Sequence, residues 1–465
     1  MDRMSRRMFA LFAAVFLALT ACTHGGGADI RHPVDGVVLL EQVSGSQVGD
    51  RLTVTGLSGK QGEIDIPAPA LGLTTRVPGK AVYSTGSGAI YLVDAERRSA
   101  RRLDVPADAG VIFNPILFGQ SDRFLVLGSP RGNAGYLLDV RSGSTANLIG
   151  LAGAKQLFSS EFSPDGRYLA FFGDELVLVP TGDPSAAVRL GAGHATGFAG
   201  FSADSRRVAF LEITDPTHPK LVVQAVAGSD RTSVDLPAGT VRAHILGSGN
   251  RAVLQEPHRL SLLTVDQGRT SQLVPFRGTP RLSWFGPDGD TMLFGVQGGS
   301  RVLWDWIDLR AGSAHRLGDL SGLQPLLSSP SDRFVFFANG HVPGTVRSLR
   351  VLNMANGQTR EVLDLGRGSV VPGYQIASEG RFALIPVERG KGGDLRLVPA
   401  QEGRSRVVAS SSRGLPLGTF SPSGDWVAVS KPPRSGQPPT VSALSTSGSE
   451  RHQLGQGVRP VWLRG

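Results

Sequence analysis

Residues 161–172 read EFSPDGRYLAFF, and close copies of this stretch recur along the chain. The clearest copies are GFSADSRRVAFL from Gly200, WFGPDGDTMLFG from Trp284 and TFSPSGDWVAVS from Thr419. In each copy a short polar turn separates two apolar runs. Proline fixes φ at the entrance of such a turn, aspartate bonds nearby backbone N–H groups, and glycine supplies a positive φ. The pattern predicts a corner between two buried strands, and six residues are interpreted as structural turn residues: Asp165, Gly166, Asp204, Asp288, Gly289 and Gly424.

Weaker copies extend this repeat over most of the chain. Aligned on the position of Asp165, ten anchors follow one another at intervals of 39 to 48 residues, at positions 35, 78, 121, 165, 204, 249, 288, 331, 379 and 423. A period of about 40–45 residues, with several short strands in each, is typical of four-stranded propeller blades. The sequence therefore predicts an all-β protein with a single β-propeller of about ten blades. Eight regular blades and two smaller rings stay open as alternatives.

The two ends of the chain are in complementary phase. The first repeat begins with the strand that follows a turn, GVVLLEQV, and the chain ends with the strand that precedes one, VRPVWLRG. Pairing of these two strands would complete one blade and remove the exposed sheet edges of an open array. We therefore predict one propeller domain over residues 34–465, closed by its N- and C-terminal strands.

The first 22 residues, MDRMSRRMFALFAAVFLALTAC, have the order of an export signal. A basic start is followed by an apolar run from Met8 to Leu19, which is shorter than the ~20 residues that span a bilayer. The stretch SRRMFAL, with Arg6 and Arg7, also resembles a twin-arginine export motif. We predict a signal peptide over residues 1–21, with Sec and twin-arginine export both open.

The end of that signal, Leu19-Thr20-Ala21-Cys22, resembles the bacterial lipobox. The resemblance implies that the Cys22 thiol receives a diacylglycerol and that Cys22 becomes the first residue after cleavage. Cys22 is the chain's one cysteine, so the mature protein has no internal disulfide. We predict a lipidated, glycine-rich tether over residues 22–33 and a protein held at the outer face of the cytoplasmic membrane, with no cofactor beyond the covalent lipid.

The repeat itself resembles that of the TolB-like propellers, whose core reads F-S-P-D-G followed by a hydrophobic strand. The best matches are Phe162–Phe171, Phe201–Phe210, Phe285–Phe294 and Phe420–Val429, and weaker ones cover essentially the whole mature chain. The resemblance implies a propeller fold. It implies little about activity, because such propellers occur in envelope proteins of the Tol system, in peptidase-associated domains and in envelope lipoproteins.

Composition and motifs narrow the function classes. The formal net charge is +9, but no dense Lys/Arg tract is present, which argues against a nucleic-acid partner. The sequence has no G-x-S-x-G, H-E-x-x-H, P-loop or dinucleotide motif, and its nine histidines lack metal-ligand spacing. We therefore predict no catalytic residues, no metal site and a non-enzymatic protein.

Loops on the face opposite the turns are the predicted binding surface, because rigid blades hold such loops in place. The polar residues selected there are His194, Asp215, His218, His341, Lys391 and Arg434. A separate stretch, VLWDWIDL, places Trp304 and Trp306 on one strand face. Core packing is the favoured interpretation of that pair, and a stacking platform for sugar is the alternative.

The combined prediction is a monomeric, lipid-anchored propeller that binds a protein or a cell-wall polymer as a scaffold. The alternative is a propeller enzyme, acting on wall polysaccharide or as a cofactor-dependent dehydrogenase, and it depends only on analogy with other propellers.

Overall fold

The computed structural model describes most of the chain from Asp35 to Arg464. The described residues are 35–44, 47–67, 69–74, 77–85, 88–105, 123–128, 135–152, 159–172, 176–191, 195–215, 217–286, 289–329, 331–339, 346–366, 368–432 and 438–464.

The described strands form ten antiparallel sheets, numbered here as blades 1 to 10. Blade 1 contains β40 (Val458–Arg464), β1 (Asp35–Ser44), β2 (Gln47–Gly56) and β3 (Gly59–Asp65); blade 2 contains β4 (Pro69–Thr74), β5 (Lys80–Thr85), β6 (Ile90–Asp94) and β7 (Ser99–Arg102). Blade 3 contains β8 (Phe124–Gly128), β9 (Gly135–Asp139) and β10 (Thr145–Asn147); blade 4 contains β11 (Ser159–Phe162), β12 (Tyr168–Phe172), β13 (Leu176–Pro180) and β14 (Val188–Leu190). Blade 5 contains β15 (Ala195–Phe201), β16 (Arg207–Glu212), β17 (Lys220–Ala225) and β18 (Arg231–Asp235); blade 6 contains β19 (Arg242–Leu246), β20 (Arg251–Gln255), β21 (Arg259–Thr264) and β22 (Arg269–Pro275).

Blade 7 contains β23 (Thr279–Phe285), β24 (Thr291–Gly298), β25 (Arg301–Asp308) and β26 (Ser313–Arg316); blade 8 contains β27 (Gln324–Ser328), β28 (Phe334–Ala338), β29 (Ser348–Asn353) and β30 (Thr359–Asp364). In blade 9 the first strand is split into β31 (Ser369–Val370) and β32 (Gln375–Ile376), which both pair with β33 (Phe382–Arg389), and β34 (Gly392–Pro399) and β35 (Arg406–Ser411) follow. Blade 10 contains β36 (Leu417–Phe420), β37 (Trp426–Lys431), β38 (Thr440–Ser445) and β39 (Arg451–Gln456). The helical elements of the described residues are short: α1 (Leu148–Ala152) and 3₁₀ turns at Pro184–Ala186, Val265–Gln267 and Gly318–Leu320.

Pairing of β1 with β40 closes the structure. The ladder is antiparallel, with Leu39 opposite Val461 and Val38 opposite Trp462. The Trp462 indole Nε1 also donates to the Thr419 carbonyl of blade 10 at 3.2 Å, so the last strand is tied to both neighbouring blades. The predicted closure by the N- and C-terminal strands is confirmed.

Each blade shares a hydrophobic core with the next blade, and this decides between the alternative architectures. Ten core clusters join consecutive blades, and one of them packs Leu40 and Trp462 of blade 1 against Val441 and Ala443 of blade 10. Every blade therefore buries both of its sides, as a closed ring requires. The protein is one ring of ten blades, which excludes eight blades and two smaller rings.

The tryptophan pair of blade 7 belongs to this core. Trp304 is fully buried and Trp306 nearly so, and both pack towards Val335 and Phe337 of blade 8. Their indole nitrogens donate to the carbonyls of Leu323 and Met354 at 3.1 and 2.9 Å. The core-packing interpretation is therefore right, since neither ring is accessible for stacking on sugar.

Strand direction defines two faces of the ring. With the four strands of a blade lettered A to D in chain order, the A–B and C–D turns lie on one face, named here the A–B face. The B–C loops and the connections between blades lie on the opposite face, named here the B–C face.

The A–B turns share one hydrogen-bond arrangement. In blade 4 the Ser163 hydroxyl donates to the Asp165 carboxylate at 2.7 Å, and that carboxylate accepts the Arg167 backbone N–H at 3.0 Å. Gly166 has φ 69° and donates its N–H to the Ser163 carbonyl at 2.8 Å. Blade 5 repeats the arrangement, with Asp204 accepting from the Ser202 hydroxyl at 2.6 Å.

Other turns keep the geometry with different residues. Gly289 and Gly424 have φ 66° and 76° at the position of Gly166, and Asp288 lies outside the described residues. Ser205 and Asp332 occupy the same position with φ 60° and 51°, which is uncommon for residues that carry a Cβ.

The sequence alignment was wrong by one residue in blade 6. Gly249, with φ 90°, donates to the Leu246 carbonyl and so takes the place of Gly166. The equivalent of Asp165 is therefore Ser248 rather than residue 249. The run GSGN offers glycines on both sides of this position, and only the backbone bond distinguishes the two registers.

Arginines on D strands form hydrogen bonds to the following blade. Arg101 donates to the Ser142 carbonyl at 2.7 Å, Arg360 to the Pro399 carbonyl at 2.8 Å, and Arg406 to the Ser445 carbonyl at 2.9 Å. Each acceptor lies at the C–D turn of the following blade. Charged donors of this kind give stronger hydrogen bonds than neutral ones, so part of the basic composition serves ring assembly.

Replacement of Asp165 by alanine tests the structural interpretation of the turn. We expect the free energy of unfolding to fall by about 1 kcal/mol, as it does when a cap or turn hydrogen bond is removed. Chemical denaturation measures the change, and binding by the opposite face is expected to stay intact. A loss of binding with unchanged stability would contradict the interpretation.

Asp332→Gly tests the strain at the equivalent position of blade 8. The Asp332 side chain is 4% exposed, and its Oδ1 has no hydrogen-bond partner among the described residues. Glycine removes both the left-handed strain and this buried carboxyl. We expect a stabilisation of about 1 kcal/mol, seen as a rise in Tm, after the entropic cost of glycine is subtracted.

Ser205→Gly is the matched control, because the Ser205 hydroxyl accepts the Asp165 backbone N–H at 2.9 Å and that bond would be lost. Burial also raises the pKa of Asp332 to about 8, from an ordinary value of 3.8. The pH-dependent contribution of the Asp332 carboxyl to the free energy of unfolding is therefore fully present below pH 3.8. It is lost as the pH rises through 8. The benefit of Asp332→Gly should therefore be larger at pH 8 than at pH 5, and a pH-independent or absent benefit would contradict the argument.

Candidate functional site

Three of the six predicted binding residues can be located on the B–C face. Asp215 and His218 lie in the B–C loop of blade 5, and Lys391 lies in the tight B–C turn of blade 9. His194, His341 and Arg434 lie outside the described residues, as do Arg6, Arg7, Leu19, Thr20, Ala21 and Cys22. Because blades 5 and 9 are four places apart in the ring, the structure does not bring Lys391 together with the Asp215–His218 pair.

Asp215 and His218 form a local turn. The His218 Nδ1 lies 2.9 Å from Asp215 Oδ2 and 2.8 Å from the Thr217 hydroxyl. The hydrogen bond from His218 and the bonds from Thr217 lower the pKa of Asp215 to about 2. A relay of nucleophile, histidine and carboxylate uses both ring nitrogens. Here hydroxyl and carboxylate share Nδ1, and the His218 and Asp215 side chains are 76% and 52% exposed, which is the geometry of a loop rather than of a catalytic relay.

The turn that carries Lys391 is held rigidly. Its Gly392 and Gly393 are buried, and a Cβ at either position would meet a backbone oxygen at 2.1 or 2.3 Å. The Lys391 carbonyl accepts the Gly414 N–H at 2.9 Å, which ties the turn to the connection between blades 9 and 10. That connection also carries the exposed Arg413, so two exposed cations lie on backbone segments that this hydrogen bond joins.

Further exposed cations lie towards the B–C ends of first strands or in blade connections. Together with Lys391 and Arg413 they are named here the basic rim: Arg242, Arg277, Arg281, Lys391 and Arg413. None of the ion pairs among the described residues involves a member of this rim. The exposed carboxylates Asp364 and Glu388 lie on the same face. Sequence reasoning selected only Lys391, because the other four are isolated in sequence and only the ring places them on one face.

The A–B face differs in its charge balance. Several of its arginines lie beside carboxylates of the turns, as with Arg167 and Asp165 at 3.7 Å and Arg381 and Asp425 at 3.1 Å. Arg310 likewise pairs with Asp290. Several arginines of this face are therefore paired by turn carboxylates, whereas no member of the basic rim has such a partner among the described residues.

A groove of about 850 Å³ opens on the B–C face between blades 8 and 9. Its lining residues are Leu365, Gly368, Ser369, Glu388, Arg389 and Gly390. Arg389 lies 3.4 Å from the buried Asp394 carboxylate, which also accepts from the Ser410 hydroxyl at 2.7 Å. The groove adjoins Lys391 and offers both a cation and a carboxylate to a ligand.

A buried carboxyl lies at the ring closure. Glu41 of β1 has no exposed surface, and its Oε2 lies 3.3 Å from Arg459 Nη1 of β40. Burial raises the pKa of Glu41 to about 7, and the Arg459 charge opposes that shift. The fully buried Tyr83 of blade 2 lies near it, and burial together with the Glu41 charge raises the Tyr83 pKa well above its ordinary value. Arg459 has φ 48°, so its guanidinium is held from a strained backbone.

Within the described ranges no group of three or more His, Cys, Asp and Glu side chains could hold a metal ion. The same residues contain no helix with the length and apolar character needed to cross a bilayer.

Comparisons with known proteins bear on the fold. No family model and no curated protein matches the chain. Similar solved structures include a eukaryotic initiation factor, 11% identical, covering 92% of this chain and 98% of that one with a TM-score of 0.49. An oligogalacturonate lyase in complex with manganese is 13% identical over 71% of this chain and 98% of that one, with a TM-score of 0.40. TolB from Acinetobacter baumannii is 18% identical over 73% of this chain and 81% of that one, with a TM-score of 0.26.

These similarities are too distant to carry an argument about activity. Solved structures that resemble this chain include TolB and other propellers, and they include enzymes. The assignment as a β-propeller depends on the chain's own ten sheets and their shared cores.

Glu41→Gln tests the electrostatics of the ring closure. The ordinary pKa of glutamate is 4.5 and that of Glu41 is about 7. The contribution of Glu41 to folding is therefore fully present below pH 4.5 and is lost as the pH rises through 7. We expect the stability of the wild type relative to the variant to fall by on the order of 2–3 kcal/mol over that window.

Urea denaturation at a series of pH values measures this difference, with Glu450→Gln on the exposed A–B face as the matched control. Glu161 and Asp332, whose pKa values burial raises to about 8, are present in all three proteins and cancel in the comparison. Parallel curves for wild type and Glu41→Gln would show that Glu41 titrates normally.

Proposed function

We propose that this protein is a lipid-anchored extracytoplasmic scaffold whose B–C face binds an anionic polymer of the cell envelope. The single observation that carries the binding proposal is the basic rim. Its five cations are exposed, lie on one face and take part in no ion pair among the described residues. The lipid anchor follows from the lipobox-like sequence at Cys22.

A polyanion fits this arrangement better than a small ligand does. The rim spreads over blades 6, 7, 9 and 10, so its charges are distributed around the ring rather than converging on one point. A chain with repeated negative charges can contact several of them at once, and each contact adds a modest, salt-sensitive contribution. Rigid blades lower the ordering cost of such a surface on binding.

The enzyme alternative gains no support from a specific site. The exposed Asp215–His218 pair lacks the geometry of a relay, and the groove between blades 8 and 9 contains no close pair of carboxylates among its described lining. Two experiments test that alternative directly. One measures activity of the protein on wall polysaccharide, and the other looks for bound cofactors in protein purified from the native host.

Neutralisation of the rim tests the binding proposal. The variant Arg242→Gln, Arg281→Gln, Lys391→Gln and Arg413→Gln removes four charges from the B–C face. We expect its affinity for poly(glycerol phosphate) or polyglutamate to fall at least about tenfold, equivalent to about 1.4 kcal/mol, and its salt dependence to weaken. Isothermal titration at two salt concentrations measures both, with neutral dextran as the uncharged polymer.

The matched control removes four exposed arginines from the A–B face: Arg141, Arg206, Arg269 and Arg404, each replaced by glutamine. Both variants have the same net charge, so only the position of the charge differs. An equal loss of affinity in the two variants would show non-specific attraction by the whole protein. No binding by the wild type to either polyanion would remove the proposal.

A further inference from the structure

The chain enters the ring on its A–B face. Asp35 is the first residue of β1 and lies opposite Arg464 near the end of β40. β40 is the A strand of blade 1 and runs from the B–C face to the A–B face, so its C-terminal end and the start of β1 share the A–B face. β1 is the second strand of its blade, with β2 and β3 outside it. The entry point therefore lies towards the inner side of the blade rather than at the rim of the ring.

Covalent geometry limits how far Cys22 can lie from this point. Thirteen residue steps separate Cys22 from Asp35, and they span at most about 45 Å at full extension. To put the B–C face on a membrane, the chain would have to pass outward across β2 and β3, about 10 Å, and then along the height of the blade. The ten residues of β1 correspond to about 30 Å of height. A path through the central opening has the same height to cover.

Almost no length would be left for an acyl group to enter the bilayer on the B–C side. The opposite orientation needs no such path, because the entry point already faces the membrane. The A–B face also carries turn carboxylates beside several of its arginines, as in the Arg167–Asp165 and Arg381–Asp425 pairs, so part of its positive charge is paired within the protein.

We propose that the lipid anchor turns the A–B face towards the membrane and presents the basic rim to a polyanion in the space beyond it, rather than to lipid headgroups. The inference depends on the proposed lipidation of Cys22, and it deepens the proposed binding function by naming where the polymer lies. A basic surface directed at an anionic bilayer would be occupied by headgroups, whereas one directed away stays available.

Single-thiol labelling of the acylated full-length protein tests the orientation without any polymer. Cys22 carries the lipid through its sulfur, so an introduced cysteine is the one free thiol. Gln267→Cys places a fluorophore on the A–B face of blade 6, and Ser300→Cys places it on the B–C face of blade 7, both at exposed positions. The labelled proteins are reconstituted in phosphatidylcholine vesicles that contain a headgroup-linked energy-transfer acceptor.

Transfer from Ser300→Cys should be at least about twofold lower than from Gln267→Cys, because the two faces differ by about 30 Å in height. Insertion of about thirty Gly and Ser residues after position 27 should abolish the difference, since a chain of that length reaches around the blade. Equal or reversed transfer with the natural tether, or a difference that survives the insertion, would overturn the proposal. Failure of the full-length protein to associate with vesicles would overturn it too.

A second measurement separates orientation from binding. Poly(glycerol phosphate) that carries a covalently attached quencher, added to the vesicle-bound protein, should quench a label at Ser300 and leave a label at Gln267 unchanged. Vesicles that contain anionic lipid should not raise energy transfer at Ser300. If transfer at Ser300 does rise, the basic rim binds headgroups and the proposal is wrong; if orientation holds and the polymer does not bind, only the proposed function fails.

Discussion

Pairing of β1 with β40 is the contact on which the ring depends. Each blade has cores on both sides, so an open array would expose one apolar side at each end and an unpaired edge strand. The β1–β40 ladder turns the two incomplete ends into one complete blade, and the Trp462 indole extends the tie to blade 10. The same closure brings Glu41 into a fully buried position beside Arg459. A titratable group thus lies where the ring is joined, and we expect the stability of the closure to depend on pH.

Much of this fold could be predicted from the sequence because its turns are local. The run Ser163–Tyr168 sets its own geometry through bonds within six residues, and similar chemistry marks the same corner in other blades. The closure could also be predicted, because the strand and turn patterns at the two chain ends are local in sequence and show that the ends are in complementary phase. Blade number stayed open, since intervals of 39 to 48 residues do not distinguish a distorted blade from a missing one; blade 9, with its split first strand, is an example.

The site could be predicted only in outline. The choice of face follows from loop order, and Lys391 was selected on that basis. Arg242, Arg277, Arg281 and Arg413 give no local signal, because each is a single cation near a strand end or in a blade connection and their grouping is a property of the ring. Glu41 follows a continuous apolar run in the sequence, VVLLEQV, and its burial involves β40 and Tyr83 of blade 2, which the sequence alone does not place beside it.

Ring closure also decides which surface is available for binding. When the C-terminal strand supplies the A strand of blade 1 and the N-terminal strand supplies the B strand, the chain must enter and leave on the face of the A–B turns, whatever the number of blades. That face is also the one on which turn aspartates pair with several arginines. The B–C face therefore carries neither the entering strand nor those turn carboxylates, and the five cations of the basic rim lie there without ion pairs among the described residues. The position of chain entry and the placement of the turn aspartates then have a common origin in the strand order, and a single constraint accounts for both.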